Sequence, residues 1–136
     1  LKMKNNTGLL SFYGDGEKYN DSIKITTLDN WLTKNKINLI NGFIKIDVEG
    51  FELKVCKGMK RLLRGMNPVI QIEMNPATLK MSNTTINDIV AYLKSFNYLP
   101  YIFVNNAIEE YSINNLDPEK VIDLLFIANW DKKWNY

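Results

Sequence analysis

Two short stretches of this chain carry side chains whose types and spacing can do chemistry. The first, FIKIDVEGFE at Phe43–Glu52, alternates apolar and charged residues, sets Asp47 and Glu49 two apart, and breaks at Gly50. The second, PVIQIEMNP, carries Glu73 near the end of an apolar run, with Asn75 just beyond it. Alternation of this kind predicts strands, and residues two apart share a face while the strand stays extended. In an open α/β sheet, ligands bind at the carboxyl ends of the strands. Neighbouring strands lie about 4.8 Å apart, so adjacency would bring Asp47, Glu49 and Glu73 to one edge. Carboxylates placed there could form the rim of an active site. Gly50 allows a sharp turn and a close backbone approach to a ligand, and Asn75 adds a neutral donor and acceptor.

Spacing alone supports a second reading equally well. A strand with one solvated face shows the same Lys45/Asp47/Glu49 alternation, and acids at a helix start are favoured by the macrodipole. Glu52 reads as a first-turn helix acid rather than a ligand. Cys56, among apolar neighbours, reads as a buried structural thiol. The chain has no histidine, so it lacks the commonest general base and the commonest metal ligand. A histidine-free acidic cluster can also hold Mg²⁺ or Ca²⁺, and a carboxylate pair about 5 Å apart can serve retaining glycoside hydrolysis. No motif supports either, and no metal is assigned. The basic run Lys54–Arg64 reads as the solvated face of a helix, and the aromatic tail with Trp130 and Trp134 as packing.

The elements that must position these residues follow from pattern. With 136 residues, 46% of them hydrophobic, the chain fits one domain with a real core. A formal net charge of +2 gives no ground for nucleic acid or an anionic membrane as partner. No apolar run approaches the roughly 18–20 residues needed to cross a bilayer. A single cysteine forbids an internal disulfide and is consistent with a reducing, cytoplasmic location.

LLSFY at Leu9–Tyr13 and SIKITT at Ser22–Thr27 read as strands. Thr27 is expected to cap a helix, LDNWLTKN, packed by Leu28, Trp31 and Leu32. The strand at about Gly42–Val48 leads to one helix with Phe51, Val55, Met59, Leu62 and Leu63 on its apolar face, ended by Arg64, Gly65 and Pro68. The PVIQIE strand follows. Thr84 or Thr85 caps a helix striped by Ile86, Ile89, Val90 and Leu93. YLPYIFVN, NNA and IEEYSI read as strand, turn and returning strand, and VIDLLFIAN as a central strand. Strand–helix–strand–helix–strand predicts an α/β fold with a parallel sheet and right-handed crossovers, closed by an antiparallel terminal strand.

TTLDNWL, IKIDVEG, FELKVCKGMKRLL, PVIQIE and DLLFIA, taken together, resemble the FkbM family of S-adenosylmethionine-dependent methyltransferases, over about residues 26–128. The resemblance implies a Rossmann-like class I methyltransferase sheet, mostly parallel with an antiparallel last strand. Phe43–Val48 would be its fourth strand and Val69–Met74 its fifth. It implies S-adenosylmethionine as cofactor and a small-molecule acceptor, a hydroxyl of a sugar, polyketide or similar metabolite. Asp47 and Glu49 would be catalytic, Asp47 and Gly50 would face the cofactor, and Glu73 and Asn75 would position the acceptor. The glycine-rich cofactor loop of the family and its ribose-holding acid have no counterpart; the YGDGE segment at Tyr13–Glu17 precedes a strand rather than a helix. Residues 1–136 are therefore expected to form a single, incomplete domain that lacks the N-terminal strands and carries the acceptor side of the site. A non-catalytic metabolite- or partner-binding remnant and a carboxylate- or metal-dependent hydrolase are the rival classes.

Overall fold

The computed structural model describes residues 24–117 and 119–129. LLSFY and the first two residues of SIKITT lie outside that range; Lys24–Thr27 is irregular rather than a strand. Helix α1 (Leu28–Asn35) starts at Thr27, whose hydroxyl accepts from the Asn30 amide at 3.2 Å. Leu32 is buried and Leu28 half-buried, but Trp31 stands 46% exposed, so the packing face is narrower than its spacing suggested.

Strand β1 (Phe43–Ile46) leads through a turn to α2 (Glu52–Lys57) and α3 (Lys60–Gly65). The expected single helix is thus two, parted at Gly58 and Met59. Met59, Leu62 and Leu63 are nonetheless all buried. The break has a partner: Asp29 of α1 accepts the Arg61 and Leu62 amides at 2.8 and 3.0 Å, capping α3 from another element. Arg61 returns its guanidinium to the Asp29 carbonyl and the Thr33 hydroxyl.

Strand β2 (Val69–Met74) is followed by α4 (Pro76–Met81), a helix the sequence reading left out. Its signals are ordinary ones, Asn75 at the N-cap and Pro76 at the first helical position. Helix α5 (Ile86–Lys94) carries the expected buried stripe of Ile86, Ile89, Val90 and Leu93. Thr85 and Asp88 form a reciprocal capping box at its start. Changing Thr85 to alanine should cost about 1 kcal/mol, read as a lower urea midpoint with an unchanged slope.

Strands β3 (Tyr98–Val104) and β4 (Ala107–Glu110) make the anticipated hairpin, and β5 (Ile122–Ala128) completes the sheet. The order is β1-β2-β5-β3-β4, with β5 central as its apolar sequence implied. β1 and β2 pair in parallel; β5 runs antiparallel to both β2 and β3, and β4 antiparallel to β3. Three strands therefore share one direction and two oppose it. "Mostly parallel" describes strand direction but not the ladders, because β5 lies between β2 and β3.

Register separates two faces. Ile46, Ile72 and Leu124 align on one face, as do Ile70 and Phe126, and these side chains form the core under the helices. Lys45, Gln71, Glu73 and Asp123 alternate onto the other face.

Asparagine, abundant in this chain, has a backbone use. Six of the eight non-glycine residues with positive φ among the described residues are asparagines: 41, 67, 83, 97, 105 and 106. Asn tolerates the left-handed region better than other side chains do; these positions follow helices, turn the β3–β4 hairpin or, at Asn41, shape the turn before β1. Lys36, at the C-cap of α1, and Glu49 are the other two.

Candidate functional site

Strand β1 ends at Ile46, so Asp47 and Glu49 do not extend it as expected. Ile46 pairs with Ile72, which sets Asp47 level with Glu73 on the neighbouring strand. The chain then turns through Glu49 at φ 50° and Gly50 at φ 97°. The turn, rather than a pleated strand, swings Glu49 back toward its neighbours. Carboxylate oxygens of Asp47, Glu49 and Glu73 lie within 4.8 Å of one another. At that spacing three acids can share a proton or offer oxygens to a hard cation.

The electrostatics follow from the crowding. Burial pushes the Glu49 carboxyl above the usual range, with the charges of Asp47 and Glu52 adding to the effect. Burial also raises Glu73, helped by Asp47, Asp123 and Glu49 and opposed by Lys45. Lys45 pairs with the exposed Asp47 at 3.0 Å, and its own pKa rises from that hydrogen bond and charge. One Glu49 oxygen, Oε2, is shielded from solvent and has no hydrogen-bond partner in the protein.

A carboxyl raised on folding binds its proton more tightly in the folded chain. Its contribution to stability is present below the unfolded pKa and lost as pH rises through the folded value. Glu73→Gln should therefore raise the thermal midpoint at neutral pH, with the gain shrinking as pH falls and vanishing below about pH 3, where the acid is protonated in both states. Thermal unfolding of both proteins across that interval checks this.

Asp123 stands beside the cluster, where its charge helps to raise Glu73, and was not singled out from sequence. It pairs with Glu73 across the β2–β5 ladder and accepts from the Gln71 amide at 3.1 Å. The signal was available: an antiparallel last strand brings its first residues to the carboxyl ends of the parallel strands. Glu52, read as a helix-start acid, does open α2, but it is 2% exposed and accepts the Val48 and Gly50 amides.

Two further expected site residues have structural duties. Asn75 Oδ1 accepts from the Ala77 amide at 3.1 Å as the cap of α4, which fixes the side chain and leaves its amide nitrogen to donate to a ligand. Gly50 is buried against α4, where an added Cβ would sit 2.4 Å from the Thr78 carbonyl oxygen. Its lack of a side chain serves that contact. Cys56 is buried, and its thiol is pushed up to about 12, chiefly by burial and then by Glu52, as befits a structural cysteine. Among the described residues no helix is long and apolar enough to cross a membrane.

The carboxylates thus stand where α/β enzymes build their sites, at the carboxyl ends of two adjacent parallel strands. No curated protein and no solved structure matches the chain. The family model of the methyltransferase FkbM domain matches residues 3–100. That span begins earlier than the resemblance noted from sequence and stops within β3, so β5 lies beyond it. It takes in β1, the Asp47–Gly50 turn and β2, and with nearly three-quarters of the chain matched, this protein belongs to the FkbM methyltransferase family.

Proposed function

We propose that the chain carries the acceptor side of an S-adenosylmethionine-dependent O-methyltransferase with a Rossmann-like class I sheet. The observation that supports it best is the convergence of Asp47, Glu49 and Glu73 at the carboxyl edge of β1 and β2. When bound, the cofactor supplies a methyl group activated on a positively charged sulfur. The acidic rim suits such a cation, and Asp47 with the turn that ends at Gly50 is the part of the chain that would face it.

The acceptor hydroxyl is held by Glu73 and the Asn75 amide nitrogen, and Asp47 or Glu49 takes or orients its proton. The raised pKa of Glu49 brings it nearer to neutrality and makes it a better base than a solvated carboxylate. Holding the hydroxyl in one orientation is the larger share of the work, because alignment of reacting atoms is worth several kcal/mol, about 7–11 in favourable cases.

The backbone at Glu49 supports the same reading. Elsewhere the chain mostly meets a left-handed turn with asparagine; here it keeps a glutamate, at a conformational cost of about 1–2 kcal/mol. Strain retained at a residue that carries a carboxylate into a cluster supports a functional role for Glu49.

Calorimetry of the full-length protein with S-adenosylhomocysteine, followed by transfer of labelled methyl to hydroxyl acceptors, tests the proposal. Absent binding, or methyl delivered to nitrogen or carbon, would refute it. The 4.8 Å spacing also favours a second reading, in which the three acids hold a divalent cation during the same reaction. Transfer that survives exhaustive chelation and gains nothing from added Mg²⁺ counts against that reading.

A further inference from the structure

We propose that Glu52 is the positioning residue of the carboxylate site: through the Val48–Gly50 turn it holds the Glu49 carboxylate where the reaction uses it. The inference rests on the methyltransferase reading above. Glu52 Oε1 accepts from the Val48 amide at 3.3 Å and from the Gly50 amide at 3.1 Å, bracketing Glu49 on both sides. Between those amides the backbone passes through two consecutive positive φ values, 50° at Glu49 and 97° at Gly50. The first of these is costly for a glutamate, so something must over-determine it.

Glu52 is equipped to do so. It is the one buried charged residue among those described, at 2% exposure. A buried carboxylate is expensive unless it is well paired, yet its Oε2 has no hydrogen-bond partner in the protein. The far side of the same turn packs closely on α4, where a Cβ on Gly50 would meet the Thr78 carbonyl oxygen at 2.4 Å. The turn that carries Glu49 thus lies between its bonds to Glu52 and the close approach of α4.

The test uses three variants of the full-length protein. Glu52→Leu removes both acceptor contacts, whereas Glu52→Gln keeps an oxygen able to accept from the same two amides. Leu63→Ala, in the buried core of α3, serves as a stability control away from the turn. Per folded molecule at saturating acceptor, Glu52→Leu should lose about 100-fold in kcat, the scale of a misplacement near 1 Å. Glu52→Gln should stay within about threefold of the parent, and Leu63→Ala should keep its kcat once corrected for unfolded protein. A Glu52→Leu protein with full kcat per folded molecule, or a Gln variant as impaired as Leu, overturns the proposal.

Amide exchange makes a second readout that needs no activity. Protection at Val48 and Gly50 should fall in Glu52→Leu and persist in Glu52→Gln. If the parent transfers no methyl group, the functional reading fails, while exchange at these two amides still judges Glu52. Protection unchanged in Glu52→Leu overturns the clamp by itself.

Discussion

Asp47→Asn in the full-length protein lowers methyl transfer by about 10²–10⁴-fold while leaving the fold intact, if Asp47 handles the acceptor proton. The two halves of that expectation come from different observations. Asp47 is exposed, and among the described residues its side chain pairs with Lys45, itself 53% exposed at the side chain. Pairs of that kind contribute little to stability, so the thermal midpoint should hardly move. The reaction, in contrast, loses the most accessible carboxylate of the cluster.

The variant has a further signature. The charge of Asp47 helps to raise both Glu49 and Glu73, so its removal should bring both carboxyls down toward the ordinary range. Carbon-detected titration of the two glutamates would show it. Full transfer rate in Asp47→Asn with both titrations displaced would move the base assignment to Glu49.

The second large effect is on folding. Gly50→Ala should destabilise the protein by about 2–5 kcal/mol, combining left-handed strain of about 1–2 with an overlap of about 1–3. The overlap is with main chain: the new Cβ would meet the Thr78 carbonyl oxygen at 2.4 Å and its carbon at 2.9 Å. A flexible side chain could move aside, whereas a carbonyl inside a helix cannot without disturbing α4. Urea unfolding of parent and variant measures the loss. A value below about 1 kcal/mol would mean that the turn and α4 separate easily, and that Gly50 is free for a ligand. Chemistry and folding thus place opposite demands on neighbouring positions, with an acid kept at 49 despite its backbone and a glycine required at 50 by its surroundings.

The residues that carry these effects were legible to different degrees. The apolar run of β2 and the helical stripe of α5 survived because each is an apolar pattern imposed by a buried face. The Asn105–Asn106 turn was legible from turn chemistry alone. What failed was decided between elements. The break between α2 and α3 depends on Asp29, more than thirty residues from Leu62, supplying amide acceptors that no local pattern reveals. Helix α4 is short, with Leu79 as its buried residue, so it offered too little periodicity to notice. Asp47, Glu49 and Glu73 were named correctly as neighbours, yet for an incomplete reason. Strand extension was expected to align Asp47 with Glu49, and a left-handed turn brings Glu49 back. Glu52 looked like any acid at a helix start, and its burial emerged only once the turn was folded over it.

The place of β5 in the sheet has a consequence for how the protein is made. Among the described residues β2 and β3 share no ladder; each is joined to β5, the last described strand. On the ribosome, where a chain lengthens by about 5–20 residues per second, β1 with β2 and β3 with β4 can form as two separate ribbons. They become one sheet only when Ile122–Ala128 has cleared the exit tunnel and slid between them. A nascent chain arrested before Ile122 should therefore remain protease-sensitive, and one released a few residues past Ala128 should become resistant in a single step.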